Sequence, residues 1–166
     1  WRGWTVQGSR AESDEIAGGF YDAVSAGDGR LALIAGSVVG DALPSALAMS
    51  ALRMLVRANV QAAESAERLL TELAPALTDI AEEQLLIHLA IAFVEPELGA
   101  AEYASAGEAA VLVEREGAGE SREFRSEPIG GGKRYRFDVA RFPIGAGPCR
   151  FVLSAPEGAE ISAGRE

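Results

Sequence analysis

The stretch with the most chemical promise is Gly36-Ser37-Val38-Val39-Gly40, where an apolar run gives way to two glycines four apart and then to Pro44 and a small-residue helix. Such a junction is where proteins often place an anion or a metal. A phosphate loop, however, needs Gly-x-x-x-x-Gly-Lys-Ser/Thr, and here the second glycine comes one position early with no lysine after it. Ser37 as a nucleophile would need the elbow Gly-x-Ser-x-Gly and a base, and neither is identifiable. His88 is the only histidine, set among alternating apolar residues, and without a nucleophile or second ligand it reads as a satisfied core residue. Cys149, the single cysteine, has no second thiol for a disulfide or a metal clip, which suits a small buried residue in a reducing cytoplasm.

The composition narrows the class of partner. A chain of 166 residues is about one domain, large enough for a real core. Its 15 basic residues face 25 acidic ones, for a net charge of −10. Nucleic-acid affinity comes mostly from lysines and arginines displacing counterions, so this balance argues against nucleic acid and against anionic membrane surfaces. The most apolar run, "LLIHLAIAFV", is about half the length of a membrane span and contains His88. No signal-like segment precedes the first strand, and the chain begins at Trp1 without a methionine, so a single domain over 1–166, excised from a longer signalling protein, is expected.

The elements that must position these residues follow from periodicity. "GWTVQGS", "GGFYDAVSA" and "RLALIAGSV" read as strands joined by tight turns, one at Gly27-Asp28-Gly29, in a meander. From Leu43 the period turns helical, with Ser50, Arg53, Arg57 and Gln61 on one polar stripe and a wide apolar remainder. A second, amphipathic helix starts near Ser65, with Leu69, Leu70, Leu73, Leu77 and Ile80 on one face and a kink or break expected at Pro75. From Leu85 strands return, in "LLIHLAIAFVEP", "AAEYASAG", "AAVLVEREG", "SREFRSE", "KRYRFDVARF" and "CRFVLSAPEG". Trp4 is assigned to the core; Trp1 is left open between the core and a preceding domain.

In this order and spacing, "EIAGGFYDAV", "IAGSVVGDALPSALAMS", "LLIHLAIAFVEPELGAAEYASAGEAAVLV" and "EPIG" resemble the bacterial metal-dependent serine/threonine phosphatases of the protein phosphatase 2C type. The branch is that of the stage II sporulation protein E and the phosphatases that regulate sigma factors. The resemblance spans about Trp4 to Glu160, and its most specific part is Gly36, Val38, Gly40, Pro44, Ala46, Met49 and Ser50. It implies an α+β fold: two antiparallel sheets packed as a sandwich flanked by helices, here shortened at the C-terminus. It further implies two divalent metals held by aspartates, with a metal-bridging water attacking the phosphorus of phosphoserine or phosphothreonine.

Set against that pattern, Gly19 and Ser37 stand in the two metal-binding aspartate places. In "LSAPEG" the third falls on Ala155, Pro156 or Glu157, and Glu108 replaces a histidine in "SAGE". Divalent cations a few ångströms apart repel, and neutral ligands offset neither that repulsion nor the lost hydration. Asp22, Asp41, Glu108 and Glu157 are the residual carboxylates that could hold one cation such as calcium or magnesium; the plainer reading is solvated loop acids. The expectation is therefore an inactive, phosphatase-like regulatory module, with no catalytic residue, metal or cofactor, that contacts a protein partner or a preceding sensor domain in the cytoplasm. The alternative is a manganese- or magnesium-dependent serine/threonine phosphatase working through a rearranged site. A purely structural domain is the third class. An apolar face left bare at the shortened end is expected to favour a homodimer, with Leu52, Leu55 and Val56 as interface candidates.

Overall fold

The computed structural model describes residues 3–10, 19–82, 84–130, 135–145, 147–156 and 158–166. Ten strands and two helices follow in the order β1 (Thr5–Ser9), β2 (Gly19–Ser25), β3 (Leu31–Val39), α1 (Ala42–Asn59), α2 (Ala66–Ala81), β4 (Leu86–Glu95), β5 (Ala100–Ala106), β6 (Glu108–Arg115), β7 (Ala118–Arg125), β8 (Asp138–Pro143), β9 (Cys149–Ala155) and β10 (Ala159–Arg165). They form two antiparallel five-stranded sheets, β2-β3-β4-β5-β8 and β1-β10-β9-β6-β7. The expected α+β sandwich is the observed one. Among the described residues no helix is long and apolar enough to cross a membrane.

Side-chain alternation along β3 sets the layers. Leu31, Leu33 and Ala35 enter the core between the sheets, together with Trp4, Tyr103, Val111, Phe151 and Ile161. Ala32, Ile34 and Val38 face the other way, into a second core closed by Leu52 and Val56 of α1 and Leu69, Leu70, Leu73 and Leu77 of α2. Both helices thus lie on the sheet that contains β3, and the outer face of the other sheet carries none among the described residues.

Several expectations change on contact with this architecture. The opening strands are not a meander: β2 pairs with β3, whereas β1 crosses to the other sheet and pairs with β10. The strand read in "RLALIAGSV" is β3, which runs through Gly36 and Ser37 to Val39 and leaves only Gly40 and Asp41 before α1. Gly36 is small because Phe20 lies over it, a Cβ there standing 2.6 Å from the Phe20 ring and 2.9 Å from the His88 carbonyl oxygen. Pro75 does not end α2, which continues from Ala66 to Ala81. Pro75 lies on the exposed side of the helix, facing away from the core.

Leu52 and Val56, expected as interface residues, are 0 % and 1 % exposed because they lie on the stripe of α1 that packs onto the sheet, and Leu55 is half-buried. The large apolar residues that α1 leaves bare are Leu43, Leu47 and Met54. β10 had no counterpart in the periodicity reading, since its residues are small or polar apart from Ile161.

Candidate functional site

The two positions in the aspartate places do meet. Gly19 on β2 and Ser37 on β3 are cross-strand partners, and Ser37 in turn sits opposite His88 on β4. Parity points all three toward the space between the sheets, at the end where the β9–β10 turn arrives from the other sheet. There Ala159 closes on Gly19: a Cβ at position 19 would lie 2.4 Å from the Ala159 Cβ and 3.0 Å from its backbone nitrogen. Ser37 is fully buried, and its Oγ has no hydrogen-bond partner among the described residues.

His88 closes the next position. Its Nδ1 accepts a hydrogen bond from the Glu108 backbone N–H at 3.0 Å, which puts the ring proton on Nε2. Gly107, with φ of +81°, lets the chain pass so close that a Cβ there would stand 2.4 Å from that Nδ1. His88 is half-buried and tied to the backbone, as a satisfied structural residue would be.

The three residual carboxylates that the structure describes, Asp22, Asp41 and Glu108, diverge. Asp22 is three residues from Gly19, so the strand's alternation turns it to the opposite face, toward α1. There Arg57 donates to Asp22 through Nε at 2.5 Å and Nη2 at 2.7 Å, and Arg53 through Nε at 3.1 Å. Burial pushes the Asp22 carboxyl up, but the hydrogen bonds and charges of the two arginines outweigh it and hold it below its ordinary value. Asp41 is exposed at the N-cap of α1, where its carbonyl oxygen accepts from Ser45 N–H. Glu108 is exposed as well, on the alternation that sends Ala109, Val111 and Val113 inward and the even-numbered residues out. It lines a recess of about 250 Å³ on that side with Glu123 and Arg125. Glu157 lies outside the described residues; Ala155 and Pro156 beside it supply no charge.

Among the described residues no three of His, Cys, Asp and Glu come together to hold a metal ion. The two-metal chemistry that the resemblance implies would need several anionic oxygens converging between the sheets. Among the described residues, what converges here is a glycine packed against an alanine, a buried hydroxyl and a histidine nitrogen already engaged. These groups do not fit a pair of divalent cations.

Sequence reasoning missed two features. The Asp22–Arg53–Arg57 cluster could have been read from the i, i+4 spacing of the arginines on α1 and the parity of β2. Tyr103 Oη, Ser105 Oγ and Asp138 Oδ2, by contrast, are buried polar atoms on the neighbouring strands β5 and β8, and only the β5–β8 register brings them to one place. Burial, with the Asp138 charge added, pushes the Tyr103 hydroxyl far above its ordinary value, which removes it from proton transfer near neutral pH. Cys149 is a buried free thiol whose ionisation burial also opposes.

Two antiparallel five-stranded sheets packed face to face, with two helices, match the phosphatase 2C-like fold class. The stage II sporulation protein E (SpoIIE) family model matches residues 27–154, and the chain belongs to that family. No curated protein sequence matches it. Solved structures share its fold at low identity. PppA, a regulatory component of the type VI secretion system in Pseudomonas aeruginosa, superposes with a TM-score of 0.73 at 13 % identity over 98 % of this chain and 97 % of its own. RsbX in complex with magnesium gives 0.71 at 13 %, over 98 % and 94 %. The RsbU and RsbW domains of a Mycobacterium tuberculosis protein give 0.72 at 22 %, over 90 % of this chain and 43 % of that one.

Proposed function

We propose that this domain is a pseudophosphatase: a phosphatase-fold module of bacterial cytoplasmic signalling that binds a protein and does not hydrolyse phosphoesters. The observation that carries the reading is the contact between Gly19 and Ala159. The place where the fold would seat an anionic ligand is filled by a methyl group from the facing sheet. Ser37 across from it is neutral and sealed in, and Asp22 and Glu108 lie on faces turned away from it. The similar structure of PppA, described as a key regulatory component of a secretion system, supports a regulatory setting. A net charge of −10 supports protein as the partner over nucleic acid or an anionic membrane.

The test is turnover. The purified domain, supplied with manganese or magnesium, is expected to hydrolyse neither p-nitrophenyl phosphate nor a phosphoserine peptide above a no-enzyme control. Metal-dependent hydrolysis that a chelator abolishes would overturn the reading and establish a phosphatase with a rearranged site.

A further inference from the structure

α1 carries a pattern its own fold does not use. Leu43, Leu47 and Met54 are 66 %, 66 % and 73 % exposed. With Ser50 and Arg57 they recur at intervals of four, three, four and three residues, the average spacing of 3.5 at which one helix packs lengthwise against another. The core of this domain draws on a different stripe of α1, namely Ser45, Ala48, Leu52 and Val56. Single exposed apolar residues are ordinary, but a row of them in heptad register on one helix is a surface shaped for a partner.

Charge selects which partner. α1 contains no acidic residue, although the whole chain carries −10. Its arginines, Arg53 and Arg57, are about half exposed and held in place by Asp22. Asp22 occupies Arg57 Nε and Nη2 and Arg53 Nε, so among the described residues no side-chain bond takes up the Nη groups of Arg53 or Nη1 of Arg57. The cluster keeps one net positive charge, fixed in position beside Met54. A fixed guanidinium fork is well suited to a carboxylate.

We infer that α1 docks an acidic amphipathic helix of a partner protein, its apolar residues seated along Leu43, Leu47 and Met54 and its carboxylates facing Arg53 and Arg57. A second copy of α1 would match the apolar spacing but bring two more arginines and no carboxylate from within the helix. Within the helix, then, a symmetric pair has no carboxylate to set against the arginines, and only Asp41 at the N-cap could reach Arg57 in an antiparallel one. This deepens the regulatory-module reading and rests on it for its purpose, yet the two fail separately, since phosphatase turnover tests one and helix binding the other.

The probe is a labelled three-heptad peptide with leucine at the seam positions and glutamate beside them, compared by fluorescence anisotropy with the same peptide carrying lysine instead. The glutamate peptide is expected to bind saturably and about tenfold or more tighter than the lysine peptide, weakening as salt is added. Leu47→Asp should abolish binding, and Arg53→Glu should reduce it about tenfold while the circular dichroism melt of each variant shows a folded domain. Absence of saturable binding, equal affinity for the two peptides, or indifference to Leu47→Asp would overturn the proposal. So would a dimer in analytical ultracentrifugation that Leu47→Asp dissociates, because that assigns the seam to a second copy.

Discussion

Gly19 and Ala159 touch across the two sheets so closely that no side chain fits between them: even a Cβ on residue 19 would lie 2.4 Å from that of Ala159. An aspartate at position 19 must push apart β2 and the start of β10, and its charge would enter beside the buried Ser37. Overpacking alone costs about 1–3 kcal/mol, and an unpaired buried carboxylate adds to that. Gly19→Asp is therefore expected to lower the urea midpoint markedly, and Gly19→Asp with Ser37→Asp to show no manganese-dependent turnover. Ser37→Ala should go the other way, leaving stability unchanged or raising it by up to about 1 kcal/mol, because it removes a sealed hydroxyl that has no partner. A folded, active double variant would show that the strand ends separate far more easily than their packing implies.

Much of this was legible in the residues, and the exceptions have physical causes. Strands could be read wherever a short apolar run is bounded by turn residues, as in β3 and β4, which are buried on both faces. β10 could not, because Ala159, Ser162, Ala163 and Gly164 are buried or paired through small size and backbone hydrogen bonds, which leave no hydropathy signal. The substitutions at Gly19 and Ser37 were visible one by one, but their pairing across β2 and β3, and the alanine that seals them, depend on register and on a contact between sheets. Asp22 shows the opposite failure. Nearness in sequence to Gly19 suggested nearness to the site, whereas an odd number of steps along a strand reverses the face. On α1 so many residues are apolar that the buried and exposed stripes could be told apart only once the sheet fixed which side is covered.

Gly107 and His88 form a tight pair whose strength can be measured. The backbone at Gly107 is left-handed, and a Cβ there meets the His88 ring at 2.4 Å. Gly107→Ala should thus destabilise the domain through two separable effects, the unfavourable φ and the collision with the imidazole. Only the second depends on His88. In a double-mutant cycle, Gly107→Ala is expected to cost about 1 kcal/mol less or better in a His88→Ala background than in the native one. Additive costs, measured from urea midpoints, would mean that the ring moves aside freely.

Asp22 should make the domain sensitive to acid. Its carboxyl is about 7 % exposed and accepts three hydrogen bonds from Arg53 and Arg57, and the resulting depression of its pKa in the folded state has a defined consequence for stability. In the unfolded chain Asp22 titrates near the ordinary value of about 3.9. Across the interval between that value and the lower folded one, the unfolded state binds more protons, so stability rises with pH there. The contribution is fully present above the unfolded pKa and is lost as pH falls through the folded one. Replacing Asp22 by alanine is expected to cost about 2 kcal/mol near neutral pH, the scale of hydrogen bonds to a charged group. Asp22→Asn, which keeps the shape without the charge, should lose stability less steeply than the native chain as the pH drops below about 4. Arg57→Ala should lower the neutral-pH urea midpoint more than Arg53→Ala does, because Arg57 supplies two of the three bonds. Urea titrations at a series of pH values test both points: parallel pH profiles for the native chain and Asp22→Asn would show that the arginines confer no net stabilisation on the ionised carboxylate, and equal losses for the two arginine variants would show that the bidentate geometry does not decide the strength of the cluster.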